Sequence, residues 1–205
     1  MPPDLATLVA PATSALVLQE VQRGVVGEPS VLPELAAECA RVRLVDHCDA
    51  LARAARDAGV PVVHCIAATR PDGLGANRNA RLFAGVSKAP VALAPGSPAV
   101  EPAIDVGPAD LVLTRHQGIG PMAGTEVDAV LRNQGVTTIV GVGVSLNVGM
   151  LDLAFDAVNA GYQIVMPRDA VAGVPTAYAD DVLRLTLSLV ATISTTAEIV
   201  LAWSE

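Results

Sequence analysis

The chain has 205 residues, 52% hydrophobic but only 2% aromatic, so its core must be built from Ala, Val and Leu rather than rings. That length suits one domain, residues 1–205, with a substantial core. A net charge of −8 argues against general affinity for nucleic acid or an anionic membrane.

Ser14–Val21 reads as a short strand behind a Pro-rich lead, and residues 24–33 as a loop. Leu35, Val42, Val45, Leu51 and Ala55 recur at helical spacing, which predicts one helix over 34–58 ended by Gly59. Val60–Ile66 is a second strand, with Pro61 near its start. Residues 67–108 are irregular and rich in Gly, Pro, Ala and Asn, with one short helix near 79–85. A connection of that length implies a task, such as covering a site or an interface. A third strand follows over 110–114 and a helix over 125–133, ended by Gly135.

Thr137–Val144 is an apolar, β-branched run, hence a buried strand. It turns at Ser145–Asn147 into a helix carrying Leu151, Leu153, Ala154, Phe155 and Val158, which stops at Asn159-Ala160-Gly161. Another strand covers 162–166, then a loop runs to Pro175 and a helix starts at Ala179. The tail either continues that helix or forms a strand near 191–194 before a last helix from Thr196. Strands alternating with helices predict an α/β fold, a Rossmann-like three-layer α/β/α sandwich with a mostly parallel sheet of about six strands. Ligands of such sheets sit at the carboxyl ends of the strands, where the turn at Ser145–Asn147 meets a helix N-terminus.

The amino-terminal stretch has no basic region before an apolar one, and no apolar run reaches a bilayer span; even 183–193 is interrupted by Arg184, Thr186 and Ser188. Cys39, Cys48 and Cys65 have no metal-ligand spacing and leave one thiol over in any disulfide scheme. The expected compartment is the cytoplasm. Apolar segments at 86–104 and 183–201 point to a homo-oligomer.

Gly143-Val144-Ser145-Leu146-Asn147-Val148-Gly149-Met150 resembles the signature turn of the isochorismatase-like hydrolases, written G-V-x-T-N-x-C-V. Ala15-Leu16-Val17-Leu18-Gln19-Glu20-Val21-Gln22 resembles that family's opening A-L-L-V-I-D-x-Q. Leu111–Arg115 followed by Gly124-Thr125-Glu126-Val127-Asp128-Ala129-Val130-Leu131-Arg132 resembles its lysine-bearing strand and the G-T-x-L-D-x-x-L-R segment after it. The resemblance covers nearly the whole chain. It implies a small-molecule hydrolase, a non-proline cis peptide at Val144–Ser145, and a site at Glu20, Arg115 and Gly149, where the family carries Asp, Lys and Cys. It also implies that Gln22, His116, Val144, Ser145, Leu146, Asn147 and Val148 border the substrate. Restoring Asp, Lys and Cys is expected to leave the fold intact.

Each change alters the chemistry. Glycine excludes a thioester at position 149, because covalent acyl transfer needs a thiolate. True isochorismatases resemble this chain in having glycine there; they protonate a vinyl ether from the acidic residue and let water attack. Glu20 suits that role if desolvation keeps it protonated. Arg115 holds an anion but shuttles no proton, since its pKa exceeds about 12. The alternative for Glu20 and Arg115 is a structural ion pair, and for Gly149 a packing glycine in a first helical turn. Gly149 is expected to leave open space, with the three positions converging on one cavity.

Among the remaining candidates, His64 and Cys65 alternate to opposite faces of a strand and read as core. His116 either lines the pocket or faces solvent, and His47 reads as exposed. Arg70, Arg78 and Arg81 either neutralise an anionic substrate or solvate their loop. The stretch after the second strand has no histidine, so neither metal nor other cofactor is expected. The function expected is acid/base hydrolysis of a small anionic or carbonyl-bearing metabolite without a cysteine step. A silent member of the family that binds a small molecule or a partner protein is the alternative.

Overall fold

The computed structural model describes residues 4–86, 89 and 91–204. In chain order the elements are α1 (Leu5–Leu8), β1 (Ser14–Gln19), α2 (Arg23–Val26), α3 (Pro33–Arg41), α4 (Leu44–Asp57), β2 (Val62–Ala67) and α5 (Arg81–Val86). They continue with β3 (Leu111–Arg115), α6 (Val127–Asn133), β4 (Thr138–Val144), α7 (Gly149–Asn159), β5 (Gln163–Pro167), β6 (Val171–Ala172), α8 (Thr176–Asp181), β7 (Thr192–Ser194) and α9 (Thr196–Ser204). The sheet has seven strands in the order β3-β2-β1-β4-β5-β7, with β6 beside β4, and every pairing of these strands is parallel.

Alternation along the strands divides the core into two layers. Leu16 and Leu18 of β1, Val62 and Ile66 of β2, and Val140 and Val142 of β4 pack with Leu35 of α3, Leu44, Cys48 and Leu51 of α4 and Ile199 of α9. Ala15, Val17, Val63, Cys65 and Ile139 face the opposite way, onto Leu131 of α6 and Met150, Leu153 and Ala157 of α7. Each fully buried Leu or Ile contributes about 1.5–3 kcal/mol relative to exposure. The three-layer α/β/α sandwich read from the sequence is the fold observed.

Three local readings need correction. The helix expected over 34–58 is two helices, α3 and α4, broken at Val42 and Arg43, where Arg43 adopts φ 55°. The break lets Leu35 and Cys39 of α3 and Leu44, Cys48 and Leu51 of α4 all reach the core. Among the described residues of 86–104, which the sequence marks as apolar surplus, Leu93, Val100 and Ile104 are buried against the chain itself; Ser87, Lys88 and Pro90 lie outside the described residues. In the other apolar segment, 183–201, Leu185, Leu189 and Leu201 are exposed. His47, expected at the surface, is half-buried with Nδ1 3.7 Å from Asp169. The tail takes the second of its two readings, β7 followed by α9. No helix among the described residues is long and apolar enough to cross a membrane.

Candidate active site

Glu20 follows the last residue of β1 in a left-handed conformation, φ 50°. Its N–H donates to the Cys65 carbonyl at 2.8 Å, which ties the end of β1 to β2. Arg115 ends β3, and its Nη2 donates to Glu20 Oε1 in a direct ion pair. The pair is largely buried, with side-chain exposures of 16% for Glu20 and 13% for Arg115. Burial pushes the Glu20 carboxyl above its ordinary value, and Arg115, by charge and by hydrogen bond, only partly offsets that. Arg115 Nη1 also donates to the Gly118 carbonyl at 2.7 Å and to that of Gln117 at 3.3 Å. The loop after β3 is thereby strapped across the pair. From the other side, the Gly118 N–H donates to Asn77 Oδ1 at 2.8 Å, so the long 67–108 connection holds the same strap.

Gly149 is the first residue of α7. The space beside it is occupied, contrary to the open space expected: a Cβ placed on Gly149 would lie 3.1 Å from Gln19 Nε2, 3.3 Å from the Val144 carbonyl oxygen and 3.6 Å from that of Ile119. Gln19 is fully buried, and its Nε2 donates to Glu20 Oε1 at 3.3 Å. Glu20, Arg115 and Gly149 are thus gathered at the carboxyl ends of β1, β3 and β4, with Gln19 between Glu20 and Gly149. Gly143 makes this approach possible, since at φ 114° a Cβ there would lie 2.2 Å from the Gln19 carbonyl oxygen.

The turn after β4 carries the cis peptide Val144–Ser145. Ser145 Oγ donates to Asn147 Oδ1 at 2.7 Å and Asn147 Nδ2 to the Val174 carbonyl at 3.1 Å, so both side chains serve the turn itself. The side chains of Val144 and Leu146 are buried and Val148 is half-buried. The N–H groups of Leu146, Val148 and Met150 bond to Ala172, Ser145 and Ser145 carbonyls; those of Asn147 and Gly149 have no partner among the described residues. What this turn offers a ligand is therefore backbone.

Gln22, expected at the substrate, is bonded within the chain. Its Oε1 accepts from the Ala67 N–H at 2.7 Å and its Nε2 donates to the carbonyls of Ala67 and Ala99 at 3.0 and 3.3 Å. The carboxamide is consumed in holding β2 against the long connection. A cleft of about 230 Å³ opens beside the ion pair, between β3 and the start of α6, with Cys65, Arg115, His116, Thr125 and Glu126 among its lining. Glu20 and Gly149 do not line it, so the single cavity around all three positions is not this cleft. His116 is exposed there, with Nδ1 3.1 Å from the Ala68 carbonyl oxygen. Cys65 is buried, and burial pushes its thiol up to about 12. Arg70 pairs with Asp72 at the surface, 2.6 Å apart, as a loop-solvating residue does. Among the described residues no group of three His, Cys, Asp or Glu side chains stands where it could hold a metal ion.

The pattern of the Isochorismatase domain matches residues 14–198. The chain belongs to the isochorismatase family. Solved structures of the same fold include an isochorismatase family protein from Desulfovibrio vulgaris, 21% identical with a TM-score of 0.79 over 95% of this chain and 100% of that one. A cysteine hydrolase from Pseudomonas syringae pv. phaseolicola is 25% identical, TM-score 0.76, over 100% and 99%. An isochorismatase family protein from Burkholderia thailandensis is 26% identical, TM-score 0.74, over 95% and 97%. The uncharacterized isochorismatase family protein YwoC of Bacillus subtilis is 37% identical over 71 residues, which is 35% of this chain and 37% of that protein.

Within the isochorismatase family frame, sequence reasoning missed Gln19 and the placing of Thr125 and Glu126 on the cleft; Cys65, read as core, is buried. The signal for Gln19 was present. Along β1, Ala15 and Val17 face the α6 and α7 layer, and the next position on that face is polar. The family opening that this strand resembles has isoleucine at that position.

Proposed function

We propose that this chain is an isochorismatase-family hydrolase without a covalent cysteine step, using Glu20 as acid and base on a small anionic or carbonyl-bearing metabolite. The observation that carries this reading is the desolvated Glu20 carboxyl, held against Arg115 and one side chain away from a glycine where the family resemblance expects a thiol. An anionic group of the substrate competes with Glu20 for the Arg115 guanidinium and with the Gln117 and Gly118 carbonyls that strap it. Once the guanidinium is diverted, burial keeps a proton on Glu20. For a vinyl ether, Glu20 protonates the terminal carbon and water adds to the resulting oxocarbenium carbon. That water returns a proton to Glu20, and the hemiketal collapses to a carbonyl compound and an alcohol. Arg115 remains charged throughout, and the free N–H groups of Asn147 and Gly149 are the donors for the leaving alcohol oxygen as the hemiketal collapses and that oxygen takes the bonding pair.

The purified protein is to be screened against vinyl ethers, amides and lactones, with Glu20→Gln as the paired variant. Glu20→Gln keeps the shape and removes the transferable proton, so kcat is expected to fall by about 10²–10⁴ with KM nearly unchanged. Unchanged turnover would remove Glu20 from the mechanism. The second reading, a silent family member that binds a small molecule or a partner protein, draws support from the closed pairing of Arg115 with Glu20 and two loop carbonyls. Small carboxylates bound without turnover of any compound in the screen would favour it.

A further inference from the structure

A buried glutamine at the end of a strand in an apolar layer needs partners for two N–H donors and an acceptor oxygen, and Gln19 has only some of them. Its Nε2 bonds to Glu20 Oε1, while its Oε1 is buried with no partner. Leaving a buried acceptor unmatched is unfavourable, so such an atom calls for a partner that the chain itself does not supply. The amide is turned so that Nε2 faces Glu20 Oε1 at 3.3 Å and Oε1 faces away from it. A second orphan lies in the same cluster, since Arg115 Nε is buried and unpartnered. The two orphans are complementary, one acceptor and one cationic donor, and both belong to side chains that bond Glu20 Oε1. The Gln19 carboxamide also fills the volume over Gly149, where a nucleophile's side chain would begin.

We propose that Gln19 completes this site in place of the missing thiol: its carboxamide orients the Glu20 carboxyl and presents Oε1 to a hydroxyl or N–H of the substrate. With an anion on Arg115, the substrate class is a small carboxylate carrying a hydroxyl or amino donor. The inference rests on the proposed reading of Glu20 and Arg115 and adds to it a positioning residue and a substrate feature.

The test compares lactate with propionate, which differ by one hydroxyl, titrated by NMR into wild type, Gln19→Leu and the flexible isostere Gln19→Met. Wild type is expected to bind lactate roughly two- to tenfold more tightly than propionate, the range of one net hydrogen bond. Both variants are expected to bind the two acids equally. A wild type without the preference, or variants that keep it, would overturn the proposal. If neither acid binds, the Arg115 anion reading fails, and Gln19 then stands or falls on a second measurement, the titration of the ¹³C-labelled Glu20 carboxyl. Removing the Nε2 donor is expected to move that titration upward in both variants, since a donor to the carboxylate favours its charged form. An unmoved titration would overturn the positioning role.

Discussion

Strand β3 has a carboxylate–guanidinium pair at each end, and the two pairs are built differently. Where the chain enters β3, Asp110 accepts from Arg56 Nε at 3.2 Å, Arg56 Nη2 at 2.7 Å, His64 Nε2 at 2.9 Å and the Gly107 N–H at 2.9 Å. Where it leaves β3, Glu20 receives Arg115 and the longer Gln19 contact on a single oxygen, and both donor side chains keep an unmatched buried atom. Desolvation works to raise both carboxyls. At Asp110 the four donors outweigh it and hold the carboxyl below its ordinary value, whereas at Glu20 it prevails. In the entry cluster the one orphan is His64 Nδ1, the lone pair of an imidazole that burial keeps neutral against the pull of Asp110. A saturated carboxylate holds structure, and an under-coordinated one is free to change partners.

The largest expected effect comes from breaking the saturated pair. Asp110→Asn leaves Arg56 facing a neutral group and is expected to cost about 3–5 kcal/mol of folding stability, the range for removing one partner of a buried pair. Glu20→Gln is expected to cost less than half of that, because Arg115 keeps the Gln117 and Gly118 carbonyls. Equal losses in denaturant titrations would show that the two pairs do the same work.

The pairs are also expected to respond to pH with opposite sign. Asp110 is lowered from 3.8 and His64 from 6.5, so their contributions are complete above those values and fade as pH falls through them. Glu20 is raised from 4.5, so its contribution is complete below that value and fades as pH rises through its folded-state value. The stability advantage of wild type over Asp110→Asn should therefore shrink as pH falls below about 4, where Asp110 begins to protonate. Its advantage over Glu20→Gln should shrink from about pH 4 toward pH 8. Parallel slopes in denaturation measured across that range would remove the distinction.

A third and smaller effect concerns how the exit cluster is packed. Gly149→Cys places its Cβ 3.1 Å from Gln19 Nε2 and 3.3 Å from the Val144 carbonyl oxygen, and is expected to cost about 1–3 kcal/mol. The triple variant with Glu20→Asp, Arg115→Lys and Gly149→Cys is still expected to fold. Adding Gln19→Val should recover most of the lost stability, because the carboxamide then vacates the thiol's position. No recovery in thermal melts would place the strain at the Val144 carbonyl instead.

The sheet and its layers were legible because they rest on alternation and periodicity. Leu16 and Leu18 against Ala15 and Val17, or Leu51 together with Ala55, fix faces without long-range information. The break at Arg43 was not legible, because its φ of 55° comes with no Gly or Pro, while the apolar spacing runs on from Leu35 to Leu51. The grouping of Glu20, Arg115 and Gly149 was legible from the family motifs. Its filling was not, since the Gln19 side chain reaches Gly149 across two adjacent strands and only the fold brings them together. Gln22 misled for the converse reason: a polar residue two positions after the acidic one reads as a ligand, yet its bonds to Ala67 and Ala99 span 45 and 77 residues of sequence. The Arg56–Asp110–His64 cluster joins a helix, a loop and a strand and has no local pattern.

The smallest expected effect is none at all, and it bears on Cys65, which lines the cleft beside Arg115 and is sequence neighbour to His64 of the entry cluster. If that thiol were a nucleophile, the under-coordinated pair would be its support rather than the reacting group. Burial raises Cys65 to about 12, with Arg115 opposing the rise and Glu20 adding to it. At pH near 8 the thiolate is then roughly one part in 10⁴, too little for ready alkylation. Cys39 is likewise pushed up to about 12, and Cys48 is raised by burial as well. Iodoacetamide applied to the folded protein is expected to leave all three thiols unmodified by intact mass and turnover unchanged, whereas in denaturant all three should react. Selective modification of Cys65 in folded protein, with loss of turnover and no loss of structure, would move the chemistry from Glu20 to the thiol and make the exit pair its electrostatic support.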